Sequence, residues 1–311
     1  MTKQSHFMRG VGLMGLGLMA ATALAAFTST AVTARTLDTS VPEDALIVQQ
    51  KIICGSTEAG RVRFGTWWGR AYGRVPWEKD RVLFNVVGTN VRQCAVVKDP
   101  ERGTGFRSVS REVMFYLDPK TNKVLETWDN PYTGQKNTVI HVANDPVNMR
   151  EPQFARAKDG TPVKVELEPV GKDLLVSRSE VPLYYDNPLL GPYQKEMGGT
   201  YQAMEIFTRF YPKDLLDSSK KNLSGSHLAW NRVSQWLPWM QMEGRPGTMI
   251  FVTAGNSVNG FDDLDPILKD QISRNFPKYK EPPPTSDTRP NETSWTYYKK
   301  IKDGSEKQSV K

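Results

Sequence analysis

The feature that most constrains this chain is a two-residue rhythm of apolar and polar side chains between Phe106 and Asn148. Val109, Val113, Phe115 and Leu117 alternate with Ser110, Glu112 and Tyr116, the period of a half-buried strand. Asp118-Pro119-Lys120-Thr121-Asn122 and Asn130-Pro131-Tyr132-Thr133-Gly134 interrupt it with residues suited to turns. A second strand is expected from Val124 to Asp129, and a third from Thr138 to Ala143, which carries His141. Three strands joined by tight turns must pair antiparallel, because parallel pairs need long crossovers. Arg111 falls on the apolar face of the first strand.

The rhythm recurs on both sides of this meander. From Val62 to Val75, Phe64, Thr66, Trp68, Arg70 and Tyr72 share one face, with Gly65, Gly69 and Gly73 opposite beside Trp67 and Ala71. Glycine at every fourth position suits a bent or closely approached strand. Further strands are expected at Val82–Cys94, Leu174–Val176, Val181–Tyr185, Thr248–Thr253 and Ser294–Lys299. Another, Thr200–Tyr211, places Tyr201, Glu205, Phe207, Arg209 and Tyr211 on one face. One helix is clear, capped at Asp263 or a neighbour and running through Pro266 to about Asn275. About ten short strands with one or two short helices predict a mainly β fold, a single antiparallel, lipocalin-like β-barrel over residues 51–301. Trp236-Leu237-Pro238-Trp239 is expected at one rim, since proline cannot sit inside a paired strand.

The first 34 residues stand apart. Lys3 and Arg9 precede an apolar run from Val11 to Phe27 and small residues up to Ala34, which reads as a secretory signal peptide; an uncleaved anchor is the alternative. The expectation is an exported, periplasmic or extracellular protein with no stable membrane insertion after cleavage. The leader holds two of the 41 Lys and Arg and no acidic residue, leaving 39 basic against 34 acidic residues, a net charge of +5. This excess forms no tract, so no nucleic-acid partner is expected. Residues 35–50 read as an arm or linker, and 302–311 as a disordered tail. Cys54 and Cys94 are the only cysteines; they are a candidate disulfide in an oxidising compartment, or two buried thiols.

Charges that alternation places among aromatic neighbours mark a candidate site. Arg70 lies with Trp68 and Tyr72, Arg111 with Val113 and Phe115, and Glu205 with Tyr201 and Phe207. A buried lone charge costs several kcal/mol, roughly, so each must pair or face a wet cavity. The candidate ligand-binding set is Arg70, Arg111, Trp68, Tyr72, Trp128, Trp230 and Trp236. The alternative for its charges is an internal pair that fixes strand register. His141 and Glu205 are candidate acid–base groups, with Asp145 placed to orient the imidazole if the chain bends at Asn144-Asp145-Pro146. His141 and His227, far apart, make no ligand set, so no metal is expected. No phosphate loop, dinucleotide fingerprint, nucleophile elbow or zinc-protease motif occurs, and no cofactor is expected.

The blocks NVRQC (90–94), VSREVMFYLDP (109–119), TWDNPYTG (127–134), HVANDPVN (141–148), SQWLPWMQMEGRPG (234–247) and NETSWTYYK (291–299) resemble, in order, a family of bacterial and fungal proteins termed DUF1838, a domain of unknown function. The resemblance covers roughly Cys54 to Ile301 and implies no activity or catalytic residue. The residues themselves lead to an exported barrel whose aromatic-lined cavity binds a small hydrophobic or aromatic molecule. A cofactor-independent isomerase, cyclase, dehydratase or hydrolase is the alternative, and an envelope interaction module a second. The oligomeric state stays open.

Overall fold

The computed structural model describes residues 34–186 and 200–307. The leader expected over 1–34 therefore lies, but for Ala34, outside the described residues. Helix α1 (Pro42–Cys54) occupies the segment expected as arm or linker. The chain continues through β1 (Arg63–Arg74), β2 (Arg81–Asp99), β3 (Gly103–Leu117), β4 (Thr127–Asp129), β5 (Lys136–Thr138), β6 (Val142–Asn144) and β7 (Glu168–Val170). β8 (Leu174–Asp186), β9 (Thr200–Pro212), β10 (His227–Ser234), β11 (Thr248–Val258), α2 (Pro266–Asn275) and α3 (Ser294–Lys302) follow. Among the described residues, no helix is long and apolar enough to cross a membrane.

Nine strands form one antiparallel sheet in the order β6-β3-β2-β1-β11-β10-β9-β8-β7, while β4 and β5 make a separate hairpin. The expected barrel is not formed, because β6 pairs only with β3 and β7 only with β8. Both edges have a local cause. β6 is three residues long and runs into Pro146, and β7 carries Pro169, which has no N–H to donate to a further strand. The third strand of the meander is likewise split, into β5 and β6, with His141 between them. Export gains no support from this architecture.

Side chains opposite one another in register share a face. Arg63 pairs with Arg92, Gly65 with Asn90 and Trp67 with Gly88. Asn90 continues to Glu112, and Gly88 to Met114. On the other side Trp67 pairs with Gly255, and Leu228 and Arg209 complete that row. One end of this face is filled by Trp236, Trp239 and α3. The ring centroid of Trp239 lies 5.7 Å from Phe84 and 5.5 Å from Tyr116, and that of Trp295 lies 4.6 Å from Tyr201. Trp236-Leu237-Pro238-Trp239 is thus core rather than rim. On the opposite face α2 packs over β2, and Phe276, just past its end, lies 5.5 Å from Phe115 of β3. Each large side chain so buried contributes about 1.5–3 kcal/mol.

The strand expected at Ser294–Lys299 is helix α3. Thr293 caps it, its hydroxyl accepting from the Thr296 N–H while the Thr296 hydroxyl accepts from the Thr293 N–H. Trp295 and Tyr298, three apart, then both face the core. Asp265 caps α2, accepting from the Ile267 N–H.

Gly88 lies directly against the indole of Trp67, where a Cβ would stand 2.5 Å from two ring carbons. Gly88→Ala relieves glycine's backbone entropy by about 0.5–1 kcal/mol, but overpacking costs about 1–3 kcal/mol. A net loss of about 1–2 kcal/mol is expected, read as a lower denaturant midpoint at unchanged slope. An unchanged midpoint would mean that Trp67 does not rest on this backbone.

Candidate functional site

Where Trp236 and α3 leave the sheet uncovered, the face turns polar. Arg63 and Trp67 of β1, Asn90 and Arg92 of β2, Glu112 and Met114 of β3, Glu205, Phe207 and Arg209 of β9 and Trp230 and Arg232 of β10 surround a cavity of about 380 Å³. Ile52 and Ile53, at the end of α1, form part of its wall. This volume suits a small molecule. Trp67 and Trp230 meet edge to face at 6.3 Å, and the Trp67 indole N–H donates to the Met114 sulfur.

Four guanidinium groups line the cavity beside two carboxyls. Arg232 is compensated: its Nη1 lies 3.2 Å from Glu205 Oε1, and its Nη2 donates to the Tyr201 hydroxyl. The other three have neutral acceptors. Arg63 donates to the carbonyls of Gly55 and Leu223, Arg92 to Asn90 Oδ1 and the Ile53 carbonyl, and Arg209 to Ser179 Oγ at 3.0 Å. Among the described residues, none of these three forms an ion pair with a carboxylate. Burial, and after it the charges of Arg209 and Arg63, lower Arg92 to about 10. Burial also lowers Arg63 and Arg209. Glu112 is raised, first by burial and then by the charge of Glu205, while its Oε1 accepts from Asn144 Nδ2 at 2.9 Å. The arrangement holds excess positive charge over an apolar floor.

The residues expected from the sequence scatter. Glu205 and Trp230 do line the cavity. Trp68, Arg70 and Tyr72 lie on the opposite face, Trp68 53 % exposed, so their strand presents Arg63 and Trp67 to the cavity instead. Trp128 and Trp236 are buried, Trp128 against Phe84 and Trp239, and Trp236 against Tyr132. Most aromatic side chains are core in this way, and the cavity is not an aromatic-lined one. That, with the open sheet, overturns the expected barrel binding a hydrophobic molecule.

Arg111 too lies on the opposite face. Its Nε donates to Asp145 Oδ1 at 2.8 Å, and its Nη1 to the Lys278 and Glu281 carbonyls. Asp145 also meets Arg289 at 3.0 Å and Lys278 at 3.4 Å, so its buried carboxylate is engaged by three cations, two of them partly exposed. His141 is 1 % exposed, stacks on Tyr116 and meets Phe115 edge to face. Its Nδ1 accepts from the Tyr116 N–H at 3.1 Å. Burial, partly offset by a backbone hydrogen bond at Leu125, lowers it to about 3. It is a neutral core histidine, away from the cavity. Cys54 and Cys94 are joined, their sulfurs 2.11 Å and their Cα atoms 5.8 Å apart, which ties the end of α1 to β2.

Arg63, Arg92, Arg209, Arg232 and Glu112 were not singled out as site residues. The signal for the first two lay in the polar set alternating with Phe64 and Val91, and Arg209 already shared its face with Glu205. No curated protein matches this chain. The sequence matches the family described as "Protein of unknown function (DUF1838)" over residues 60–302, a span that holds every strand and the four arginines of the cavity. The chain belongs to the DUF1838 family.

Proposed function

We propose that the cavity binds a small organic anion, its carboxylate or phosphate group held by Arg63, Arg92 and Arg209 and its body resting on Trp67 and Trp230. The observation that carries this reading is the trio of guanidiniums facing one cavity without a carboxylate partner, beside an Arg232 that has one. Like charges gathered in a partly desolvated place oppose folding; an anion relieves that repulsion and accepts charge-assisted hydrogen bonds. Burial and Glu205 favour the neutral acid form of Glu112, which lessens its conflict with such a ligand.

Titration calorimetry and thermal melting with short mono- and dicarboxylates and inorganic phosphate, at low ionic strength, test this. At least one anion is expected to bind and to raise the melting temperature by mass action. Arg92→Met and Arg209→Met should each weaken binding by about 10- to 100-fold, the strength of a hydrogen bond to a charged group. The same variants should melt no lower than wild type without ligand, because each removes a like charge. Arg70→Met, on the opposite face, should bind normally. Failure of every anion to bind, or equal affinity in the arginine variants, would remove the proposal.

A further inference from the structure

Away from the cavity, β1, β11, β10, β9 and β8 present their other face to solvent. Val252 is 49 % exposed, Val233 41 % and Ile206 37 %, beside the half-exposed indole of Trp68. The strand register orders this surface into rows. One row runs Arg70, Val252, Asn231, Ile206, Glu180 from β1 to β8. The row on one side runs Trp68, Ala254, Ala229, Thr208, Arg178, and that on the other Tyr72, Ile250, Val233, Met204, Pro182. Each row has an apolar or neutral middle and two unlike ends. Arg70, Arg178 and Glu180 make no ion pair among the described residues, and Arg178 and Glu180 are exposed.

A two-fold axis lying against this face, parallel to the strands and over β10, turns every row end for end. Arg70 then stands over Glu180 of the second copy and Glu180 over its Arg70. In the neighbouring row Trp68 meets Arg178, a cation on an indole face, and in the third Tyr72 meets Pro182. The strip between is Val, Ile, Ala and Met with Asn231 and Thr208; Asn231, on the axis, meets its own copy, where two amides can exchange hydrogen bonds, and Ala229 and Ala254 leave room beside the large Trp68. The other in-plane axis, across the strands, would set Arg70 on Arg70 and Glu180 on Glu180. We propose that this face is the interface of a homodimer, two sheets stacked with their strands aligned. Aligned stacking is a common way for two sheets to pack. Five strands and three rows span about 24 by 20 Å, close to the roughly 500 Å² per copy at the lower bound for a specific interface. The charge pattern is self-complementary, which an isologous contact requires.

Sedimentation velocity on the full chain at micromolar concentrations tests this, with circular dichroism confirming the fold of each variant. Wild type is expected at twice the chain mass. Arg70→Glu and Glu180→Arg should each weaken the dimer by about tenfold or more, since each sets like charges opposite one another twice. The double variant R70E/E180R should recover it, because exchanging the ends restores both pairs. Trp68→Ser, which leaves the charges alone, should also weaken it. A monomeric wild type would overturn the proposal, as would a dimer that the single reversals leave intact. Single reversals that weaken the dimer without recovery in the double variant would overturn this packing as well.

Discussion

Reduction of the Cys54–Cys94 bridge is expected to lower the unfolding free energy by about 4 kcal/mol, the chain-entropy value for a loop of this size. The two cysteines are separated by 40 positions, and the loop they close contains all of β1 and most of β2. The bridge also lies in a small core with Phe106. Its loss should therefore reach the cavity. Ile53, beside Cys54, forms part of the wall, and its carbonyl accepts from Arg92 Nη1 at 3.2 Å. Once α1 is released from β2, Arg92 loses a fixed acceptor, and anion affinity should fall along with stability. Reduced wild type should be compared with Cys54→Ala/Cys94→Ala, because the double variant also removes packed sulfur. Denaturant melts with and without reductant separate the cross-link from the packing. An unchanged midpoint on reduction would show that the bridge does not constrain the unfolded chain.

Asp145→Ala is the second substitution with a large expected effect, about 3–5 kcal/mol. Asp145 is 8 % exposed and gathers Arg111, Arg289 and Lys278 around one carboxylate. Removing it leaves the largely buried Arg111 without its carboxylate, between β3 and the segment that follows α2, while Arg289 keeps Asp287 and Lys278 keeps Glu306. The pH dependence has a definite sign. Burial pushes the Asp145 carboxyl up, but the bonds from Arg111 and Arg289 and the charges of Arg111 and Lys278 outweigh it and hold the group below its ordinary value. A depressed carboxylate stabilises the fold fully above its unfolded value, about 3.9, and loses that contribution as pH falls toward the folded value. The variant should lack this part of the acid limb, so the gap between the two proteins should narrow below about pH 4. A constant gap down to pH 2, roughly, would mean the carboxylate contributes packing rather than charge.

Much of the strand content was legible, because alternation is a direct imprint of a pleated chain. Which alternate set faces a cavity was not. In β2 and β3 both sets are largely buried, so Arg111 among Val113 and Phe115 read as inward when Glu112 is the residue at the cavity. In β1 the glycines read as the bare side of a strand carrying Trp68 and Arg70. That side is not bare: Tyr132 and Trp236 press on Gly73, and Trp67, on the same face, lies across Gly88 and Gly255 of the neighbouring strands. A register reading that is off by one residue exchanges the two faces completely, which is why Glu205 and Arg209 were placed together correctly while Arg70 was not. The helix at Ser294 was hidden for another reason. Over six residues, Trp295 and Tyr297 fit a period of two, and Trp295 and Tyr298 fit a helix. The open sheet depended on edge strands of three residues, too short to leave a pattern.

The order of strands carries a consequence for how the cavity comes into being. β1, β2 and β3 pair with their neighbours in sequence, and β8 to β11 do the same. The pairing of β1 with β11, with Arg70 opposite Val252, is the seam between those two groups. Arg63 and Arg92 belong to one group and Arg209 to the other. The three positive charges therefore meet only when the seam zips, the step with the greatest separation along the chain and the largest loop-closure penalty. The repulsion that Arg209 adds falls on that pairing, whereas Arg63 and Arg92, directly opposite one another, already repel within their own group.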